Sequence, residues 1–534
     1  MTGSPPTPVG DPPPPRGQVA TTPAEGITFP DRDSSYVGGS DRPAPEPPPG
    51  REFTGAGAAA AGATVTADTI LDTDRPELHL LRRATFGPSP EDVAEIERLG
   101  IDGWLSAQLD PDRIDDRVAE DVWRRFRTVS MSPAQIQGAI RRYSWDAMFE
   151  YGQATLARQM WSRRQLHEVM VDFWANHLNV TMPSDGCWDV GTSYHNDVIR
   201  ANALGDFTEM LLAAMRHPAM LRYLDNNQSR KESLNENLGR ELLELHTCGV
   251  EAGYTEDDVF ASAAILSGRT DEDGEFRYDA GRHYTGPVTV LGFSSANGSA
   301  EGGLEVGDEY LRYLATHPST ATRIARKLAV RFVSDTPPPS LVERLAAAYL
   351  DNGTQIVPVL ETLFRSSEFW SQVGQKTRRP LENLVASART LGVTPGSDPV
   401  KGIGTLYWML RDSGHQPLAW GPPNGYPDVA AAWSSAGGML RTWNTHRGLV
   451  GGWWKELGYT APQDLVTEPP ATVGEYLDRL CERLTLQRFA PEHRAALAEF
   501  VGATEDAAVD GSDLVRLLPQ VAPLVLDSPY FALR

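Results

Sequence analysis

From Glu77 to its C-terminus the chain repeats one pattern: a start signal, an amphipathic stretch, a stop, and another start. Ser89-Pro90-Glu91-Asp92 places a capping hydroxyl ahead of a proline at the first helical position, with two acids in the first turn. Each of these features favours a helix start, through hydrogen bonding, a preset φ or the helix dipole. That helix should run to about Leu99, where Gly100 stops it. The same signals predict helices over about 133–150, 153–178, 190–202, 206–216, 235–248 and 255–267, the last opened by Thr255-Glu-Asp-Asp. Further helices are predicted near 306–332, 337–351, 355–366, 378–391, 438–456, 472–487, 491–503 and 512–526. The period changes only between about 275 and 293. There Glu275-Phe-Arg-Tyr and Val288-Thr-Val-Leu alternate and are β-branched, which predicts a short hairpin. The stretch 415–437, with Gly421-Pro-Pro-Asn-Gly and several tryptophans, reads as a long structured loop. No repeat of fixed period is present, which argues against a solenoid. The expectation is an all-α fold: a large multi-helix single domain over residues 75–534 with a small β-hairpin insertion.

The first 74 residues read differently. Residues 1–50 hold 14 of the 41 prolines, interleaved with Gly, Ser, Thr and Asp. Such a stretch buries too little apolar surface to offset its ordering entropy, so a disordered arm is expected. Residues 51–74 are a linker or a degraded export signal: Arg51-Glu-Phe-Thr-Gly-Ala-Gly has a basic residue, then Phe and a small-residue run, but a single arginine. The net charge of −22 argues against nucleic-acid binding, which needs clustered Lys and Arg to neutralise phosphates. It equally disfavours docking on an anionic membrane surface. Cys187, Cys248 and Cys481 are too few and too scattered for a disulfide framework or a CxxC site. No segment reaches the roughly 18 apolar residues of a transmembrane helix.

Five blocks carry a family resemblance. They are His79-Leu-Leu-Arg-Arg-Ala-Thr-Phe-Gly-Pro with Gly103-Trp-Leu, and Asp172-Phe-Trp-Ala-Asn-His177. Then come Asn202-Ala-Leu-Gly-Asp-Phe with His217-Pro-Ala-Met-Leu and Tyr223-Leu-Asp-Asn, and Asn235-Glu-Asn-Leu-Gly-Arg-Glu-Leu-Leu-Glu-Leu-His-Thr with Gly253-Tyr-Thr-Glu-Asp-Asp-Val. The last is Asp527-Ser-Pro-Tyr-Phe. In this order the blocks resemble the domain of unknown function 1800 family. One position departs: the family's His-Asp ahead of a lysine and a Leu-Gly pair is here His283-Tyr284, leading to Leu291-Gly292 without the acid or the lysine. The resemblance implies a bacterial protein, often exported and often encoded beside a second exported protein, which is the partner it suggests. It implies no activity.

The densest polar cluster is Asn235, Glu236, Asn237, Arg240, Glu241, Glu244 and His246. At about 100° per residue Leu234, Leu238, Leu242 and Leu245 form one stripe, with Asn237, Glu241 and Glu244 on the neighbouring face. Glu236, Arg240 and Glu244 fall in an i, i+4, i+8 row. One reading is paired carboxylates for a divalent metal ion or for acid–base catalysis. The other is an arginine–carboxylate network that fixes a buried helix. His177 lies on the apolar face of its own helix with Leu166, Met170 and Phe173. It is either a core histidine bonded to a carbonyl or the group that reaches Glu241 from a second helix. With Glu241 and Glu244 it would form a catalytic or metal-ligating set, with Arg240 orienting the carboxylates. Asn235, Asn237, Asp225, Asn226 and His283 are the candidate substrate-binding residues, although Asn and Asp are also ordinary loop residues. Trp420, Trp433, Trp443, Trp453 and Trp454 either offer a carbohydrate-stacking surface or fill gaps between helices. No nucleophile elbow, phosphate loop, dinucleotide fingerprint or His-Glu-x-x-His is present. Two functions stay open: an enzyme of the cell envelope, metal-assisted, with its site between the helices carrying His177 and Glu241, or a non-catalytic partner of an exported neighbour. Location in the envelope or outside the cell is expected over the cytoplasm.

Overall fold

Local signals set where most helices begin. In a computed structural model, which describes Leu71 and residues 74–534 apart from 467 and 469, Ser89 accepts from the Asp92 amide and Asp92 bonds back to Ser89, closing a capping box on the helix Pro90–Leu109. Thr255 and Asp258 do the same for Glu256–Leu266. The arm, linker and export-signal expectations for residues 1–70 lie outside the described residues. Those residues that are described are all-α, with only three two-stranded sheets, and they share one continuous apolar core. No helix among them is long and apolar enough to cross a membrane.

Several elements differ from the sequence-based expectation: the helix expected over 133–150 covers only Pro133–Ala139 before a break and a new start at Asp146, and that over 306–332 is two, Gly303–Ala315 and Pro318–Phe332. Gly100, at φ +72 and non-helical, ends the first helix as expected, but a second helix follows directly across the kink and runs to Leu109. The stretch predicted as one helix over 153–178 is two, Asp146–Trp161 and Gln165–His177. The break at Ser162 is held from a distance. Gln165 donates to the carbonyls of Gln159 and Ser162, and Arg389 donates to that of Met160, so the helix end is satisfied with no proline or glycine to mark it. The predicted strands near 275 and 288 are both present but do not pair with each other. Glu275–Tyr278 pairs with Arg269–Glu272 across Asp273-Gly274, and Val288–Val290 pairs with Phe293–Ser295 across Leu291-Gly292. Each tight turn brings its own strand back sooner than the longer connection would.

The helix Pro318–Phe332 packs against the helix Pro339–Asp351. Its apolar stripe, Ile324, Ala325, Leu328, Ala329 and Phe332, is buried. Beside that stripe stand Arg323, Lys327 and Arg331 at i, i+4 and i+8. Each step of four residues turns the side chain about 40°, so the row drifts inward. Arg323 and Lys327 keep some exposure, and Arg331 is buried.

Candidate functional site

Each residue of that basic row meets a different partner. Arg323 donates from Nε to the Leu245 carbonyl at 3.1 Å, with the Glu251 and Glu244 carboxylates nearby. Arg331 pairs with Glu382 and lies 3.5 Å from Asp428. Lys327 has no carboxylate at ion-pairing distance among the described residues; its Nζ stands 3.0 Å from His177 Nδ1. His177 Nε2 lies 3.0 Å from the His246 carbonyl oxygen, and His246 Nδ1 lies 2.9 Å from the His177 carbonyl oxygen. A carbonyl only accepts, so His177 Nε2 carries the proton and Nδ1 is left as an acceptor for Lys327. Phe173, Trp174 and Phe207 surround the imidazole. Burial first, then Lys327, His246 and Arg323, hold His177 well below the usual histidine range. Burial and Arg323 likewise pull Lys327 down to about 7, with Asp428 opposing. An amine in such surroundings is divided between its two protonation states near neutrality.

The loop after Gln416 closes over the end of the His177 helix. Asn176 Oδ1 accepts from the Tyr426 amide at 2.9 Å, and Asn179 Nδ2 donates to the carbonyls of Trp420 and Pro422. Gly425, at φ +72, passes so close that a Cβ there would lie 2.1 Å from the Asn176 carbonyl oxygen. Beneath the loop runs a chain of ion pairs. Asp172 meets Arg379 at 2.8 Å, and Arg379 meets Glu382 at 3.1 Å; Arg331 bridges Glu382 and Asp428, and Lys376 bridges Asp428 and Asp335. Arg534 adds a further contact to Glu382 at 3.2 Å. Asp172, Asn176 and His177, from a single sequence block, thus hold the ionic chain, the loop and the lysine respectively.

The predicted cluster comes apart in a specific way. The last turn of its helix, Leu242–His246, is π-wound, which changes the angle between successive side chains. Arg240 pairs with Glu236 at 3.4 Å and with Glu256 at 2.7 Å, not with Glu244. Glu244 instead accepts from the Tyr254 hydroxyl at 2.9 Å. Glu241 is half-buried, and burial followed by the Glu244 carboxylate pushes its carboxyl upward. No hydrogen bond joins His177 to Glu241 or Glu244, since both imidazole nitrogens are engaged elsewhere. Among the described residues no three His, Cys, Asp or Glu side chains converge as metal ligands would.

Asn235 and Asn226 bond backbone groups, and Asp225 bonds a neighbouring side chain. Asn235 Oδ1 accepts from the Asn237 amide, and Asn237 itself is exposed. Asp225, left-handed at φ +56, accepts from Gln228. Buried Asn226 ties the Leu266 and Arg269 carbonyls together. His283 is buried between the Ser267 carbonyl at 2.9 Å and Asn297 Oδ1 at 2.8 Å. The tryptophans divide: Trp433 stacks on His415, Trp420 packs on Tyr426 and Trp454 is buried, while Trp443 and Trp453 are exposed. Sequence reasoning missed Lys327, Glu382 and Asp428. The i, i+4, i+8 basic row beside Ile324 and Leu328 was the available signal for the first.

The family described as "Protein of unknown function (DUF1800)" matches residues 79–533. The chain belongs to this family. No curated protein and no solved structure matches it. The match spans all the elements that build the family member's site here, from the His177 helix to the loop carrying Asp428.

Proposed function

We propose that this protein is an envelope-associated enzyme whose reacting group is the Lys327 amine, set between the helices that carry His177 and Glu241. One observation carries the reading: a partly exposed lysine that lacks a carboxylate partner among the described residues and donates to a neutral imidazole at 3.0 Å. Structural lysines in protein interiors are paired, as Lys376 is with Asp335 and Asp428. An unpaired amine near its titration point suits nucleophilic or general-base chemistry instead. His177 is a positioning residue: by accepting one amine N–H it fixes the nitrogen and leaves the lone pair free to face a substrate.

The reaction class that best fits is attack on a carbonyl. The neutral amine bonds to the carbonyl carbon, the π pair moves to oxygen, and a proton passes from nitrogen to that oxygen. The hydroxyl then takes one proton from solvent and leaves as water, and the nitrogen lone pair closes the C=N bond of an iminium on Lys327. Glu241 and Glu244 on the adjacent helix supply acceptors for substrate hydroxyl or ammonium groups. The placement of His177, Glu241 and Glu244 lends no support to a metal ion shared among them. Envelope association rests on the family's frequent export.

The test is reductive trapping. The full chain is incubated with small aldehydes or 2-oxo acids and cyanoborohydride, and adducts are mapped by mass spectrometry. Lys231, Lys327, Lys376, Lys401 and Lys455 are all the lysines of the chain, so assignment is direct. Modification is expected to favour Lys327, to fall away below pH about 7, and to vanish from that peptide in Lys327→Arg. Adducts confined to exposed Lys231, Lys401 and Lys455 would contradict the reading and favour a scaffold that docks an exported partner.

A further inference from the structure

The helix Ala436–Val450 is buried at only one of its ends. Its C-terminal half is buried through Thr445, His446, Gly448 and Leu449, and His446 bonds Asp527 and Asn383 at 2.6 Å each. Its N-terminal half, capped by Ser435, is exposed at Ala436, Gly437, Met439, Leu440, Arg441, Trp443 and Asn444, and is tied down by the Arg441 guanidinium, which donates to the Asp412 carbonyl. Met439, Trp443 and Leu440 lie within an arc of about 100° at helical spacing, and Arg447 falls inside the same arc. Their exposures are 55%, 39% and 57%, and nearby Trp453 is 47% exposed. Single exposed apolar residues need no explanation, but a contiguous stripe marks an interaction surface.

Charge identifies the occupant. The chain carries 71 acidic residues among 534, yet none lies between Asp428 and Glu456, while Arg441, Arg447 and Lys455 in that interval are exposed. The net charge of −22 therefore says little about this face, because exposed charges more than about 10 Å apart are largely screened. An exposed helix face that presents Met, Leu and Trp beside arginines, near exposed Trp453 and Lys455, has the composition of an interfacial anchor. Tryptophan favours the headgroup level, and the guanidinium and ammonium groups meet acidic headgroups. We propose that this face docks on an anionic lipid surface, with the stripe lying in the headgroup layer. Membrane contact of this kind is independent of the chemistry assigned to Lys327.

Flotation with vesicles tests it. The full chain is mixed with phosphatidylcholine vesicles or with phosphatidylcholine–phosphatidylglycerol vesicles at low and at physiological salt. Binding to the anionic vesicles, weakened by salt, is expected, with little binding to the neutral ones. The triple variant Met439→Ser, Leu440→Ser, Trp443→Ser should lose binding by about tenfold or more. Arg447→Gln with Lys455→Gln, which leaves the apolar stripe whole, should remove the preference for anionic lipid. Absence of binding to both vesicle types, or binding unchanged in the triple variant, would overturn the proposal. So would a dimer, seen by light scattering, that only the triple variant dissociates, because the face would then pair copies of the chain.

Discussion

Glu382→Ala is expected to destabilise the fold by on the order of 3–5 kcal/mol, read as a lower urea midpoint at unchanged slope. Glu382 is buried and serves Arg331, Arg379 and Arg534 at once. Burial alone would raise its carboxyl, but the three guanidinium groups outweigh burial and hold it well below the usual range. It also accepts from the Arg379 amide at 2.9 Å, capping the helix Pro380–Thr390. Alanine removes the cap and leaves three buried cations facing one another, which is costlier than losing the attraction of a single pair. Glu382→Gln keeps the shape and an acceptor for the cap, so it should cost less. A near-neutral Glu382→Ala would mean that water reaches this network and screens it.

Acid should unfold the protein in two overlapping stages, totalling on the order of several kcal/mol by pH 4. Burial lowers His79 and His195 to about 3 and His217 and His246 to about 4, from 6.5. Above 6.5 both folded and unfolded chains leave these rings neutral. Below it the unfolded chain takes up protons that the folded chain refuses, and stability falls until the folded values are reached. The carboxylates extend the loss. Glu382 and Asp428 are depressed in the folded state by Arg331 and Arg379, so their contribution is complete above about 4.5 and disappears as pH drops through their folded values. Urea titrations between pH 8 and 4 would show the decline. In Glu382→Gln the lower part should flatten while the part beginning at 6.5 persists. Stability unchanged down to pH 4.5 would contradict the buried, neutral state of the histidines.

The fold was legible where its cause was local. Capping boxes at Ser89 and Thr255 and apolar stripes such as Ile324-Leu328 announce helices from neighbouring residues alone. The break at Ser162 was not legible, because the side chain that satisfies the Met160 carbonyl comes from Arg389, more than two hundred positions later. The hairpins were half legible: both predicted strands form, but Asp273-Gly274 and Leu291-Gly292 were the turn signals that decided pairing. At the site, His177 was read correctly as pointing inward, and its carbonyl bond to His246 was one of the two accounts considered. Its link to Lys327 could not be read, since sequence periodicity places a side chain on a face without saying which face of another helix it meets. The π-wound turn at Leu242–His246 defeated the helical-wheel argument for Glu244, because that argument assumes a constant angle per residue.

The most direct measurement is the titration of Lys327 in the intact protein, by competitive trace acetylation with mass-spectrometric quantification of each lysine peptide from pH 5 to 11. The account predicts a midpoint near 7 for Lys327, well below those of exposed Lys231, Lys401 and Lys455. Protonation of a lysine held at a lowered value opposes folding, so Lys327→Met should also remove a rise in stability between about 7 and 10.5. A midpoint near 10.5, with the same stability profile in Lys327→Met, would contradict the claim that an unpaired, neutral amine stands at the centre of this site.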